Sequence, residues 1–120
     1  MDNRVILGRA QIGRGRQGLD VTAKSAAGFA RHFAPTWKMV MDYKAGKLSR
    51  AEYAREYARI LENLVVPRDI SELGNRAGEH RRLVFLCYCR DGEFCHTLLL
   101  IAWLCRRFPD LFTTEAAGME

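Results

Sequence analysis

One stretch limits most strongly what this chain can fold into: Leu83–Phe108, LVFLCYCRDGEFCHTLLLIAWLCRRF. A short apolar run ends in Cys87-Tyr88-Cys89, and a polar turn, Arg90-Asp91-Gly92-Glu93, follows. A longer apolar run then opens with Phe94-Cys95-His96. This order reads as a buried strand, a turn and a buried helix. In open α/β sheets, ligands bind in the crevice beyond the carboxyl ends of the strands. The reactive side chains sit at such a junction.

Upstream, Val5–Gly8 predicts a short buried strand. A glycine- and arginine-rich loop from Arg9 to Gly18 follows it. The glycine spacing fits neither the dinucleotide nor the P-loop fingerprint. Leu19–Thr22 reads as a second short strand or as part of that loop. Ala26–Phe33 reads as a short helical turn, and its His32 as an exposed or core histidine. Thr36 is placed to cap a helix from Trp37 to Ala45 that stops at Gly46. Trp37 and Tyr43 on that helix read as core, with base stacking as the alternative.

Ser49 and Glu52 have capping-box spacing, so a second helix runs to about Leu64. Tyr53, Tyr57, Ile60, Leu61 and Leu64 make its buried face. Asp69 is predicted to cap a third helix that ends near Ala77. Strand, loop, three helices, strand and helix imply an α/β fold: a small parallel sheet of two or three strands with helical crossovers, Rossmann-like, in a single domain over residues 1–120. A homodimer is one way to cover so small a sheet.

Composition narrows the class. With 120 residues, 48% hydrophobic and 28% charged, the chain suits one soluble domain with a modest core. The longest apolar run, Thr97–Cys105, is too short for a membrane span, and Met1–Ala10 lacks the pattern of a signal peptide. Four cysteines without a secretory signal point to reduced thiols in the cytoplasm. A net charge of +5, mostly arginine, allows a small anionic ligand or nucleic acid as partner and no membrane.

Three readings of the cysteines stand side by side. Zinc is the metal that Cys87, Cys89, Cys95 and His96 would suit, but Cys-x-Cys is not the usual knuckle, and adjacent helical residues diverge by about 100°. Metal ligation is therefore not expected. A nucleophilic Cys89 or Cys95, with His96 as acid or base, is the second. Small buried cysteines that simply fill the core are the third, and this suits Cys105.

The same residues resemble the domain-of-unknown-function 488 family. Its C-terminal motif is an apolar strand ending in Leu-Leu-Cys, an acidic turn, then Cys-His and a leucine-rich helix. Cys87, Cys95 and His96 match those positions. Ala34-Pro35-Thr36-Trp37 resembles the family's Ala-Pro-Ser-Trp. Tyr43–Ser49 with Glu52-Tyr53 resembles its Tyr-Lys-x-Gly-Lys-Ile-Ser…Glu-Tyr segment, and Val5–Arg9 its first strand with a following arginine. Thr97 stands where the family usually has arginine, and Cys89 where an acidic residue is common. The resemblance implies a small α/β domain with its site at the strand–helix junction and no established activity. A shorter resemblance, Tyr88-Cys89-Arg90-Asp91-Gly92, is to the active loop of rhodanese-type sulfurtransferases.

The expected site joins Arg9, Cys87 and Arg90 as ligand-binding residues to Cys95 and His96 as catalytic ones. Its expected ligand is small and anionic or nucleotide-like. One alternative is a nucleic-acid-binding or interaction module using Arg14, Arg16, Arg81 and Arg82. The other is a rhodanese-like thiol enzyme using Cys89 or Cys95.

Overall fold

Alternation along the first strand organises the molecule. In the computed structural model, which describes residues 3–90 and 92–115, β1 runs Val5–Gln11. Val5 and Leu7 are buried on one face, and a period of two puts Arg9 on that same face. The expected loop thus begins three residues later than the glycines suggest, at Ile12, and Arg9 belongs to the strand. Strand β2 is Leu19–Asp20, β3 is Arg82–Cys87 and β4 is Phe112–Thr114. They form one sheet in the order β2-β3-β1-β4, every pair parallel.

The sheet has four strands rather than two or three. The fourth is only Phe112-Thr113-Thr114 and pairs with Val5-Ile6-Leu7. Three residues are too few to show an alternating pattern, so tertiary pairing makes this strand where local sequence does not mark it.

A 3₁₀ helix spans Gly28–Phe33. Helix α1 covers Trp37–Lys44, and the Thr36 hydroxyl accepts from Met39 N–H at 3.2 Å. Helix α2, Arg50–Leu64, opens with the reciprocal Ser49–Glu52 capping box. It buries Tyr53, Tyr57 and Leu61, whereas Leu64, in the last turn, is exposed. Helix α3 covers Pro67–Ala77. Its N-cap is Val66, not Asp69. Proline without an N–H suits the first helical position, and Asp69 three residues on accepts from Val66 N–H at 2.9 Å. Asp69 is also buried against His32, whose Nδ1 lies 2.8 Å from its carboxylate. Helix α4, His96–Arg107, leads from β3 to β4.

One hydrophobic core draws on Val5 and Leu7 of β1, Leu83 and Phe85 of β3, Tyr57 and Leu61 of α2, and Leu100 and Leu104 of α4. Tyr57 is fully buried, and its hydroxyl donates to the Phe33 carbonyl at 2.6 Å, tying α2 to the 3₁₀ helix. Gly18 lets β2 approach β3 closely, because a Cβ there would fall on the Val84 carbonyl oxygen. No helix among the described residues is long and apolar enough to cross a membrane.

Candidate thiol site at the strand ends

The register of β1 and β3 builds the site. Arg9 pairs with Phe85 and Gln11 with Cys87, so Arg9 sits on the core face one step behind the end of β3. Its guanidinium turns toward that end. Nη2 donates to Cys87 Sγ at 3.0 Å and to the Cys89 carbonyl at 2.6 Å. Strand β3 stops at Cys87, and the chain bends through Tyr88 and Cys89. Glu93 closes the turn by accepting the Arg90 N–H at 2.7 Å, next to Gly92 at φ +86°. Asp91 lies outside the described residues.

Cys95 is the N-cap of α4 and has extended backbone, φ −148° and ψ 146°. This overturns the expectation that Cys95 and His96 diverge as two helical neighbours would. Only His96 is in the helix. The Cys95 Sγ lies 3.9 Å from His96 Nδ1 and 3.2 Å from Cys87 Sγ. Thr97, completely buried, donates its hydroxyl to Cys95 Sγ at 3.2 Å. Thr97 thus aims a neutral donor at the sulfur. The sequence marks Thr97 only by its place after Cys95-His96; its role as donor to Cys95 Sγ follows from the fold.

A backbone carbonyl sets the tautomer of His96. Nε2 lies 2.8 Å from Val21 O, an acceptor only, so the proton is on Nε2 and the Nδ1 lone pair faces Cys95. Burial keeps the imidazole neutral by lowering its pKa. Val21 is itself held by its N–H on the Leu86 carbonyl at 3.3 Å. The loop beyond it is braced by Asp20, which accepts from Thr22 N–H at 2.9 Å and from the Ser25 hydroxyl.

The thiols divide by charge. The Cys87 pKa is held far below the ordinary thiol range by hydrogen bonds from the Cys89 and Cys95 thiols, with Arg9 and Thr97 adding to them against burial. Cys89 and Cys95 are pushed up, first by their hydrogen bonds to Cys87. The arrangement favours Cys87 as the first thiol to ionise, with Cys95 donating to its sulfur on one side and a guanidinium on the other. The two sulfurs expected as nucleophile, Cys89 and Cys95, have their pKa values raised instead.

Cys87, Cys89 and Cys95 are the one group of metal-capable side chains found among the described residues, with sulfurs all within 4.8 Å of one another. Zinc–sulfur bonds of ~2.3 Å set tetrahedral sulfurs about 3.8 Å apart. The 3.2 Å between Cys87 and Cys95 is shorter than that, and the Arg9 guanidinium already donates to the Cys87 sulfur.

A cavity of about 330 Å³ opens onto the cluster. Cys87, Cys89, Cys95 and His96 line it from below. Its walls are Trp37, Tyr43, Tyr53, Tyr88 and Phe94, with Lys24 and Lys44 also lining it. Phe94 packs on Tyr43 at 5.2 Å and on Tyr53 at 5.6 Å between ring centres, and Arg50 lies over its face. Trp37 and Tyr88 are about half exposed.

Arg9, Cys87, Cys95 and His96 are therefore brought together from 88 positions of chain, and Arg90 stays exposed on the turn. The four arginines considered for nucleic acid lie at opposite ends of the sheet. Arg14 and Arg16 are exposed beyond the carboxyl end of β1. Arg81 and Arg82 are at the amino end of β3, where Arg81 donates to the Asn3 carbonyl and Arg82 pairs with Glu115 at 2.8 Å.

No curated protein and no solved structure is significantly similar to the chain. A family model does match: DUF488-N3a, described as the active DUF488-N3 subclade, over residues 6–107. That span includes Arg9, the three clustered cysteines and His96, and the chain belongs to the DUF488 family.

Proposed function

We propose that the protein binds a small, planar, anionic ligand of nucleotide type in the cavity at the carboxyl ends of β1 and β3, and turns the Cys87 thiolate toward it. The cavity's composition carries this reading. Half-exposed Trp37 and Tyr88 offer faces for stacking a flat ring, and Lys24 and Lys44 supply cations for an anionic group. Glu93 also lines the cavity, but one of its oxygens is occupied by the Arg90 N–H.

In this reading the anion that Arg9 serves is the thiolate itself, and the ligand's charge falls to the two lysines. The chemistry rests on Cys87, with His96 Nδ1 as the nearest base for the Cys95 proton. The description of the matched subclade as active is consistent with such a site.

Titration with a nucleoside monophosphate, followed by tryptophan fluorescence and calorimetry, tests it. Quenching that disappears in W37F is expected, as is binding at least about tenfold tighter than for the nucleoside lacking phosphate. The K24A/K44A double variant should lose that preference. Absence of binding, or equal binding of inorganic phosphate alone, contradicts the reading.

A further inference from the structure

Cys87 and Cys95 have the arrangement of an attacking and a resolving thiol. Their sulfurs are 3.2 Å apart and unbonded, and they come from two elements, the end of β3 and the cap of α4. Arg9 holds Cys87 from one side, and the Nδ1 lone pair of His96 faces Cys95 at 3.9 Å. Both cysteines are almost wholly buried, yet both line the cavity, which gives a small reagent a route to them.

We propose that this pair performs thiol–disulfide exchange with low-molecular-weight disulfides, closing a Cys87–Cys95 disulfide. The Cys87 thiolate attacks one sulfur of the reagent RSSR, forming a Cys87–S–SR mixed disulfide and releasing RS⁻. Cys95 then gives its proton to His96 Nδ1, and its sulfur attacks Cys87 Sγ, expelling the second RS⁻. The imidazolium returns the proton to solvent. In total the thiolate–thiol pair loses two electrons and one proton, and RSSR gains the two electrons and becomes one RS⁻ and one RSH. Low thiolate pKa in the attacking sulfur and a resolving thiol in contact are what such exchange requires.

The cavity reading above supplies the route of entry, but the two fail separately. The purified full chain is incubated at neutral pH with oxidised glutathione and no nucleotide, quenched in acid, alkylated and mapped by peptide mass. A linked Cys87–Cys95 peptide with Cys105 still alkylated is expected. C95S should instead trap glutathione on Cys87, and R9Q should slow the first step by at least about tenfold. The C89S/C105S variant, which keeps only the pair, should still close the bond.

A disulfide that includes Cys89, or thiols that stay reduced, overturns the proposal. Thiols that stay reduced in a protein that binds nucleotide overturn the dithiol alone. Closure of the bond in a protein that binds no nucleotide overturns the nucleotide reading alone.

Discussion

Arg9 and Cys87, 78 residues apart in the chain, meet at 3.0 Å because β1 and β3 are adjacent parallel strands in a register that leaves Arg9 just behind the end of β3. A guanidinium on the core face of a strand is expensive to bury without an anion. The thiolate of Cys87 and the Cys89 carbonyl compensate for it. The Cys89 and Cys95 thiols lower the Cys87 pKa most, and the contact that stabilises the arginine adds to them, so that Cys87 ionises in preference to the other clustered thiols.

Thr97→Val removes the hydroxyl that donates to Cys95 Sγ while keeping the side chain's shape. The lost hydrogen bond should cost about 1 kcal/mol in chemical denaturation. Because Thr97 also helps to lower the Cys87 pKa, the thiolate should titrate at higher pH in the variant. A variant with unchanged stability and unchanged titration would show that the hydroxyl plays no part.

Tyr57→Phe leaves the Phe33 carbonyl without its donor inside the core. Destabilisation of roughly 1–3 kcal/mol is expected. The ring contact with His96, 5.6 Å between centres, remains, so the variant should keep the site's thiol titration. Unfolding by urea, compared with wild type, checks the magnitude.

His96 makes stability depend on pH in one direction. Burial lowers its folded pKa below the ordinary 6.5. As pH falls past 6.5 the unfolded chain takes up the proton first, so stability is lost from 6.5 downward until the folded imidazole also titrates. The slope for this one proton is about 1.4 kcal/mol per pH unit. His96→Gln keeps a donor for the Val21 carbonyl and removes the titration, so its stability should fall less steeply below pH 6.5 than that of wild type. Parallel curves for the two proteins would contradict this.

Gly18→Ala would place a Cβ on the Val84 carbonyl oxygen. Strand β2 must then withdraw from β3, at a cost of ~1–3 kcal/mol. Since Val21, just beyond β2, orients His96, the pairing between Cys95 and His96 should loosen as well. Faster amide exchange at Leu19 to Val21 is the expected signature, and unchanged exchange there would count against it.

Much of the frame was legible because local signals were strong. Ser49 and Glu52 form the predicted capping box, Thr36 caps α1, and the run from Leu83 through His96 folds as strand, turn and helix. What escaped was set by partners distant in the chain. Phe112–Thr114 becomes a strand only by lying against β1. Arg9 looked like part of a glycine-rich loop, yet the alternation Val5, Leu7, Arg9 already placed it on the core face. Asp69 carried the right chemistry one helical turn away from the expected role, since Pro67 moved the helix start upstream. At the site, Cys87, Cys95 and His96 were recognisable as a group. Which sulfur ionises first was not, because that depends on the contacts of Cys87 with Cys89 and Cys95, the latter set by its non-helical backbone, and with Arg9.

The most direct measurement is a pH titration of thiolate ultraviolet absorbance for wild type, C87S, C89S, C95S and R9Q. One thiolate should be present in wild type well below the ordinary thiol pKa of 9.0, vanish in C87S and persist in C89S and C95S. In R9Q its midpoint should move up by about one unit or more. A first ionisation only near 9, or one that survives in C87S, would contradict the assignment of Cys87 as the charged thiol.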